Sequence, residues 1–335
     1  MITLNKLKPG DKVAIISPSA QAQDIWPEVY KVGVSRIKEV FGLEPVEYFT
    51  KDRAAGLIAA FTNQEIRAVI TTLGGDDQVT YVKNLPKEPF LANPKPFFGF
   101  SDNTHLCNFL WLLGIPSFYG GAIMTQFAMQ GKMDDFTVAY LKKALFTSNE
   151  VELTSSPKFN DIGLNWFEPE GLSGQRVYEK NPGWSWDGNQ NATGILWGGC
   201  MESLDEMFRH NIQIPSLKDF KEIVLLTETS EGIPDNAYAF WFYRALGERG
   251  ILKNIRAVLV GRPKTWHFNK QLTTEQKTVY KDEQRKTILE TVRRYNSDIP
   301  VIQNLDFGHT DPQICMPYGS IARIDSENKK IFAQF

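Results

Sequence analysis

Ser101, Glu228 and His309 are the residue types that acyl transfer by a hydroxyl would use. Ser101 follows an apolar stretch at 96–100 (PFFGF) and precedes a helical-looking stretch at 105–113 (HLCNFLWLL), with Gly99 two positions before it. A hydroxyl at a sharp turn from strand to helix stands clear of the backbone, and the unpaired N–H groups behind it can face a developing oxyanion. The local sequence is Gly-Phe-Ser-Asp-Asn, so Asn103 stands where a GxSxG elbow has its second glycine. Serine is also a favoured helix N-cap, and the local pattern leaves both roles open. Gly74-Gly75 follows the β-rich run 68–73 (AVITTL) and is a second source of exposed N–H groups, or an ordinary turn. Glu228 closes the run 222–227 (EIVLLT), where a carboxylate can orient an imidazole; Glu231 competes for that role, and either acid could simply belong to a loop. His309, within Asp306-Phe307-Gly308-His309-Thr310-Asp311, is a candidate general base or a structural loop histidine. The other histidines are His105, His210 and His267, and His105 is expected to point away from the Ser101 hydroxyl. Asp76 and Asp77 have no histidine at ligand spacing and so add no metal-binding pattern.

The elements that must position these residues follow from periodicity. Strands are predicted at 12–17 (KVAIIS), 46–49, 68–73 and 96–100, with helices over 26–41, 54–61, 63–67 and 105–113. Strands alternating with helices imply a parallel α/β sheet, whose functional loops lie beyond the carboxyl ends of the strands. Both the Gly74-Gly75 loop and the Ser101 loop fall there. The character changes after Thr147: residues 151–190 are rich in Pro, Gly, Asn and Trp and have little periodicity. Beyond them helices are predicted at 202–209, 237–246 and 274–295, and strands at 222–226, 257–260, 300–303 and 320–324. The division expected is 1–150 as a domain carrying the nucleophile, 151–190 as linker and Trp-bearing loop, and 191–335 as a domain carrying the acid and base.

Composition narrows the partners. Of the 335 residues, 42% are hydrophobic and 23% charged, ordinary for a globular chain, and the formal net charge of -2 offers no basic field for nucleic acid. No apolar run approaches the roughly 20 residues of a membrane helix, and the start MITLNKLKPGDKVAII does not read as a secretory signal. Cys107, Cys200 and Cys315 are widely spaced and odd in number, so reduced thiols in a cytoplasmic protein are expected.

These signals line up in one order. The chain resembles the LD-carboxypeptidase family of serine peptidases, and within it the microcin C immunity branch, through Lys8 to Ser19 (KPGDKVAIISPS), Arg53-Ala54-Ala55, Ala59-Ala60-Phe61, Gly74-Gly75, Gly99-Phe100-Ser101-Asp102, Gly198-Gly199, Leu225-Leu226-Thr227-Glu228 and Gly308-His309. The resemblance implies a parallel α/β N-terminal domain like that of class I glutamine amidotransferases and a β-rich C-terminal domain. It implies a Ser101–Glu228–His309 triad, with the N–H groups of Gly75 and Asp102 as oxyanion hole, no cofactor, and a homodimer. The insert 181–188 (NPGWSWDG) is similar to the Trp-bearing loop of the immunity branch, which makes Trp184 and Trp186 candidates for substrate contact or for pinning the loop. Three positions depart from the family pattern: Cys200 stands where Asn is usual, Thr229 where a second acid is usual, and Thr310 where Gly is usual after the histidine. The function implied is amide hydrolysis in a peptidyl or aminoacyl nucleotide, with removal of the terminal D-alanine from a murein tetrapeptide as the alternative. A non-catalytic small-ligand-binding protein is the alternative of another class, disfavoured by an intact triad. A glutaminase-like amidotransferase is disfavoured because no cysteine sits at a comparable elbow.

Overall fold

The computed structural model describes residues 1–163 and 165–335. Two sheets organise it. The first has six strands in the order Met316–Tyr318, Ser117–Tyr119, Phe97–Gly99, Ile66–Thr71, Lys12–Ile16, Glu44–Glu47. All neighbours in it are parallel except the Met316–Tyr318 edge, which runs antiparallel to Ser117–Tyr119. Its central strands are largely apolar: Val13, Ala14, Ile15, Val69, Ile70, Phe97 and Phe98 are fully buried. Burial on both faces is what a parallel sheet covered by crossover helices requires. Those helices include Pro27–Phe41, Arg53–Thr62 and Thr104–Leu112.

The second sheet has eight strands. Ala192–Cys200, Ile223–Glu228, Ala257–Gly261 and Val301–Leu305 form a parallel centre. Antiparallel strands flank it, with Ile321–Asp325, Lys330–Gln334 and Glu150–Leu153 on one side and Ser185–Asp187 on the other. The fold is therefore α/β with a parallel N-terminal sheet and a separate β-rich C-terminal sheet. The segment between the two regions supplies edge strands at both ends of the second sheet.

Most predicted elements stand within a residue or two of their expected bounds, including the helix Thr274–Tyr295. Residues 63–67 do not form the expected helix. The helix Arg53–Thr62 ends at Asn63, whose side chain accepts the Glu65 N–H at 2.9 Å in a tight turn, and Ile66 already opens the next strand. Asparagine competes with the helix for local backbone donors. Among the described residues no helix is long and apolar enough to cross a membrane, and the three cysteines are free and buried.

Candidate active site

Ser101 sits at the carboxyl end of Phe97–Gly99, where the chain turns through one 3-10 turn, Ser101–Asn103, into Thr104–Leu112. Its φ is +63°, a left-handed conformation that residues other than glycine rarely adopt and that recurs at active-site turns. The turn is held from several sides. Thr104 Oγ1 donates to the Ser101 carbonyl at 2.6 Å, and Asn103 Nδ2 donates to the Phe100 carbonyl at 2.9 Å. Asp102 is buried, and its carboxylate accepts the Ser19 hydroxyl and the N–H groups of Asp77 and Gln78, both at 3.1 Å. Burial pushes the Asp102 pKa up to about 6, against those hydrogen bonds. The loop after Ile66–Thr71 is thereby tied to the elbow. A Cβ on Gly74 would lie 2.9 Å from Ser101 Cβ, and one on Gly75, at φ +156°, would overlap the Ser19 hydroxyl. Only glycines allow this approach. Neither the Gly75 nor the Asp102 N–H has a hydrogen-bond acceptor among the described residues.

Glu228 ends the central strand Ile223–Glu228 and is 1% exposed. One carboxylate oxygen accepts the Tyr119 hydroxyl at 2.6 Å, and the other lies 2.7 Å from His309 Nδ1. Tyr119 in turn accepts the Ser101 N–H at 3.2 Å. One buried hydroxyl therefore links the backbone of Ser101 to the carboxylate that holds the imidazole. Tyr119 is absent from the sequence reading; its signal is a tyrosine at the carboxyl end of a short strand, followed by Gly120-Gly121.

His309 packs its ring against Phe100, the residue before Ser101, with centroids 5.1 Å apart. Its Nε2 lies 3.2 Å from Glu231 Oε2, and no hydrogen bond joins it to Ser101. Burial alone would lower the His309 pKa; Glu228, Glu231 and Glu202 outweigh it and push it up to about 9. Glu231 is half-exposed, and His309 holds it below the usual carboxylate range against desolvation. The glycine before His309 is required: at φ +97°, a Cβ on Gly308 would overlap the Glu228 carboxylate. Of the competing histidines, His105 is buried and points at Asp102 and Glu206, 3.6 Å from each, with its pKa pushed down to about 4 by burial. His210 ends the helix Met201–His210, and His267 lies in a short hairpin strand.

An elbow serine, free N–H groups beside it and an acid-held imidazole can form and break an acyl ester. The comparisons point the same way. Residues 13–120 match the profile of the LD-carboxypeptidase N-terminal domain, and residues 193–324 match that of the LD-carboxypeptidase C-terminal domain. The chain belongs to the LD-carboxypeptidase family. It is a serine carboxypeptidase-type hydrolase. A Treponema pallidum protein provisionally named a carboxypeptidase is 28% identical over 98% of this chain and 94% of its own length. The Escherichia coli microcin C7 self-immunity protein MccF is 24% identical over 84% of this chain and 77% of its own. A Streptococcus pneumoniae MccF-like protein, crystallised with AMP, superimposes with a TM-score of 0.84 at 26% identity, covering 97% of this chain and 99% of that one.

The positions that depart from the family pattern have visible surroundings. Cys200, in the parallel partner strand level with Glu228, donates its thiol to Glu202 at 3.2 Å. Glu202 also accepts the Ser230 N–H and hydroxyl, at 3.1 and 2.6 Å, and so fixes the turn after Glu228. Thr229 is buried. Thr310 accepts from buried Arg262 at 3.3 Å. Arg262 also pairs with buried Asp306 at 2.6 Å, and Trp184 donates its indole N–H to the same Asp306 at 2.8 Å. Trp186 lies in the edge strand Ser185–Asp187, level with Ile302. A different aromatic group stands outside the sequence reading: Trp26 packs on Trp166 and Phe167 at 5.2 and 5.3 Å, and Phe167 is 69% exposed. The loop before Trp26 carries Ser19, which holds Asp102, and Asn160 pairs with Asp311, two residues beyond His309.

Proposed function

We propose that this hydrolase cleaves an amide through a Ser101–His309–Glu228 triad, and that its substrate is a peptidyl or aminoacyl nucleotide of the microcin C type. Ser101 Oγ attacks the carbonyl carbon while His309 Nε2 takes its proton. Glu228 holds Nδ1–H and stabilises the imidazolium. The N–H groups of Gly75 and Asp102 receive the oxyanion. The proton passes from His309 to the leaving nitrogen, the C–N bond breaks, and water repeats the sequence on the acyl ester. The observation that carries this reading is the hydrogen-bonded path from the Ser101 N–H through Tyr119 and Glu228 to His309. Glu231 Oε2 lies 3.2 Å from His309 Nε2, so the Ser101 hydroxyl must displace it for proton transfer.

The nucleotide part is supported by the AMP complex of the pneumococcal relative and by aromatic side chains, partly buried at Trp166, Trp184 and Trp186 and exposed at Phe167, which can stack on a base. Two platforms are available. Trp184 and Trp186 carry the role implied by their loop, and Phe167, beside partly buried Trp166, is the more exposed ring. The experiment is to incubate the enzyme with an aminoacyl sulfamoyl adenylate and with a murein tetrapeptide ending in D-alanine, following both by mass spectrometry. We expect release of sulfamoyl adenosine, abolished in Ser101→Ala. Replacing the correct aromatic pair by alanine lowers that reaction about tenfold to a hundredfold more than peptide cleavage. Cleavage of the tetrapeptide alone contradicts the nucleotide reading and establishes the murein one.

A further inference from the structure

Lys264 follows the central strand Ala257–Gly261 of the second sheet by three residues. Its backbone is fixed on both sides. Pro263 precedes it, and the N–H of Thr265 donates to Asp161 at 3.0 Å, as does its hydroxyl. The side chain is partly buried, and its Nζ donates to the carbonyl oxygen of His309 at 3.2 Å. Among the described residues that is its one hydrogen bond, and no carboxylate stands within 4 Å of it. The acids of its neighbourhood have other cations: Glu231 lies on His309 at 3.2 Å, Asp311 pairs with Arg176 at 2.5 Å, and Asp161 with Lys277 at 3.6 Å. Lys264 is thus an ammonium with unused donors, anchored to the backbone of the residue that must protonate the leaving group.

The chemistry of that leaving group says what would use such a cation. In a peptide substrate the leaving nitrogen belongs to an amino acid, whose carboxylate carbon lies about 2.5 Å away through two bonds. In an aminoacyl nucleotide the nitrogen is bonded directly to a phosphoryl or sulfamoyl group. Either way oxygens that bear negative charge, those of a carboxylate or phosphoryl group or the sulfonyl oxygens of an ionised acyl sulfamate, arrive within a few ångströms of His309 Nε2. Glu231 faces the same space and opposes it, so the anion needs a cation there. We propose that Lys264 receives the anionic group next to the leaving nitrogen and thereby sets the preference for substrates that carry one. Its four-carbon stem lets the ammonium swing from the His309 carbonyl to the ligand while keeping a charge-assisted hydrogen bond. The assignment rests on the triad reading, because it takes His309 as the proton donor to the leaving group.

The test measures kcat/KM on three probes: the tetrapeptide L-Ala-D-Glu-L-Lys-D-Ala, the same peptide as its C-terminal carboxamide, and an aminoacyl sulfamoyl adenylate. In Lys264→Met the preference for a charged probe over the carboxamide falls about tenfold to a hundredfold, chiefly through KM, and Lys264→Arg restores part of it. Loss confined to the peptide acid identifies a carboxylate as the anion; loss confined to the adenylate identifies the sulfamoyl or phosphoryl group. Equal losses on charged and neutral probes, carried in kcat, overturn the proposal and leave Lys264 as a support of the His309 backbone. A wild-type enzyme whose turnover of every probe is independent of Ser101 overturns the triad reading and this assignment together. An unchanged preference in Lys264→Met, with the wild type active, overturns this assignment alone.

Discussion

At the scale of single residues, the proposed triad makes His309 the group that sets the response to pH. As general base it must be neutral, yet two carboxylates flank this imidazole and its pKa is pushed up to about 9. At neutral pH His309 is therefore mostly imidazolium, and kcat/KM, which reports the free enzyme, should rise with pH through about 9. Glu231→Gln removes one of the acids responsible and leaves Glu228 in place, so the rising limb should move to lower pH; a pH profile of kcat/KM for both proteins checks this, and an unmoved limb contradicts it. The same shift bears on stability. A folded pKa above the unfolded value of about 6.5 contributes stability that is fully present below that pH and lost as pH rises through about 9. Glu231 was visible in the sequence as a competitor for the acid's role, but which nitrogen each carboxylate takes is a matter of ring orientation, which spacing does not specify. Tyr119 was not visible at all, because a tyrosine ending a strand is commonplace until Glu228 is found against it.

At the scale of elements, the site depends on backbone turns that only certain residues can make. Gly308 shows this most directly. Its φ of +97° disfavours any side chain, and a Cβ there would run into Glu228, 2.8 Å from its Cγ and Cδ. Gly308→Ala should displace the carboxylate, and a misplacement of about 1 Å is enough to cost on the order of 100-fold in kcat. The strain should also cost about 1–3 kcal/mol in urea unfolding. Gly114→Ala is the control: its φ is +76° but a Cβ there meets nothing within 4 Å, so it should lose some stability and no activity. An active Gly308→Ala would show that Glu228 does not need its present position. The central strands were legible because runs such as KVAII and AVLVG are apolar and β-branched, whereas the edge strands were not. Glu150–Leu153, Lys158–Phe159 and Ser185–Asp187 are short and partly polar, and they become strands only by pairing with distant partners. The helix expected at 63–67 failed for a local reason, the Asn63 turn, that helical spacing cannot register.

At the scale of the whole molecule, the first sheet brings Ser101 and Tyr119 and the second brings Glu228, with His309 in the loop after Val301–Leu305. Seven residues past His309 the chain returns to the first sheet, where Met316–Tyr318 pairs with Ser117–Tyr119. That strand exchange ties the histidine's segment to the sheet that carries Ser101. The order of short motifs along the sequence was enough to indicate the family and its α/β architecture. It could not indicate this crossing, which involves a three-residue strand, nor the carboxylate resting on His309 Nε2. The central claim is that Ser101 is the nucleophile of a triad assembled across the two sheets, and the most direct measurement is to label the enzyme with a fluorophosphonate and map the adduct by peptide mass spectrometry. One equivalent on Ser101, absent in Ser101→Ala and greatly slowed in His309→Ala, is the result expected. Labelling of a different residue, or full turnover by Ser101→Ala, would contradict the account.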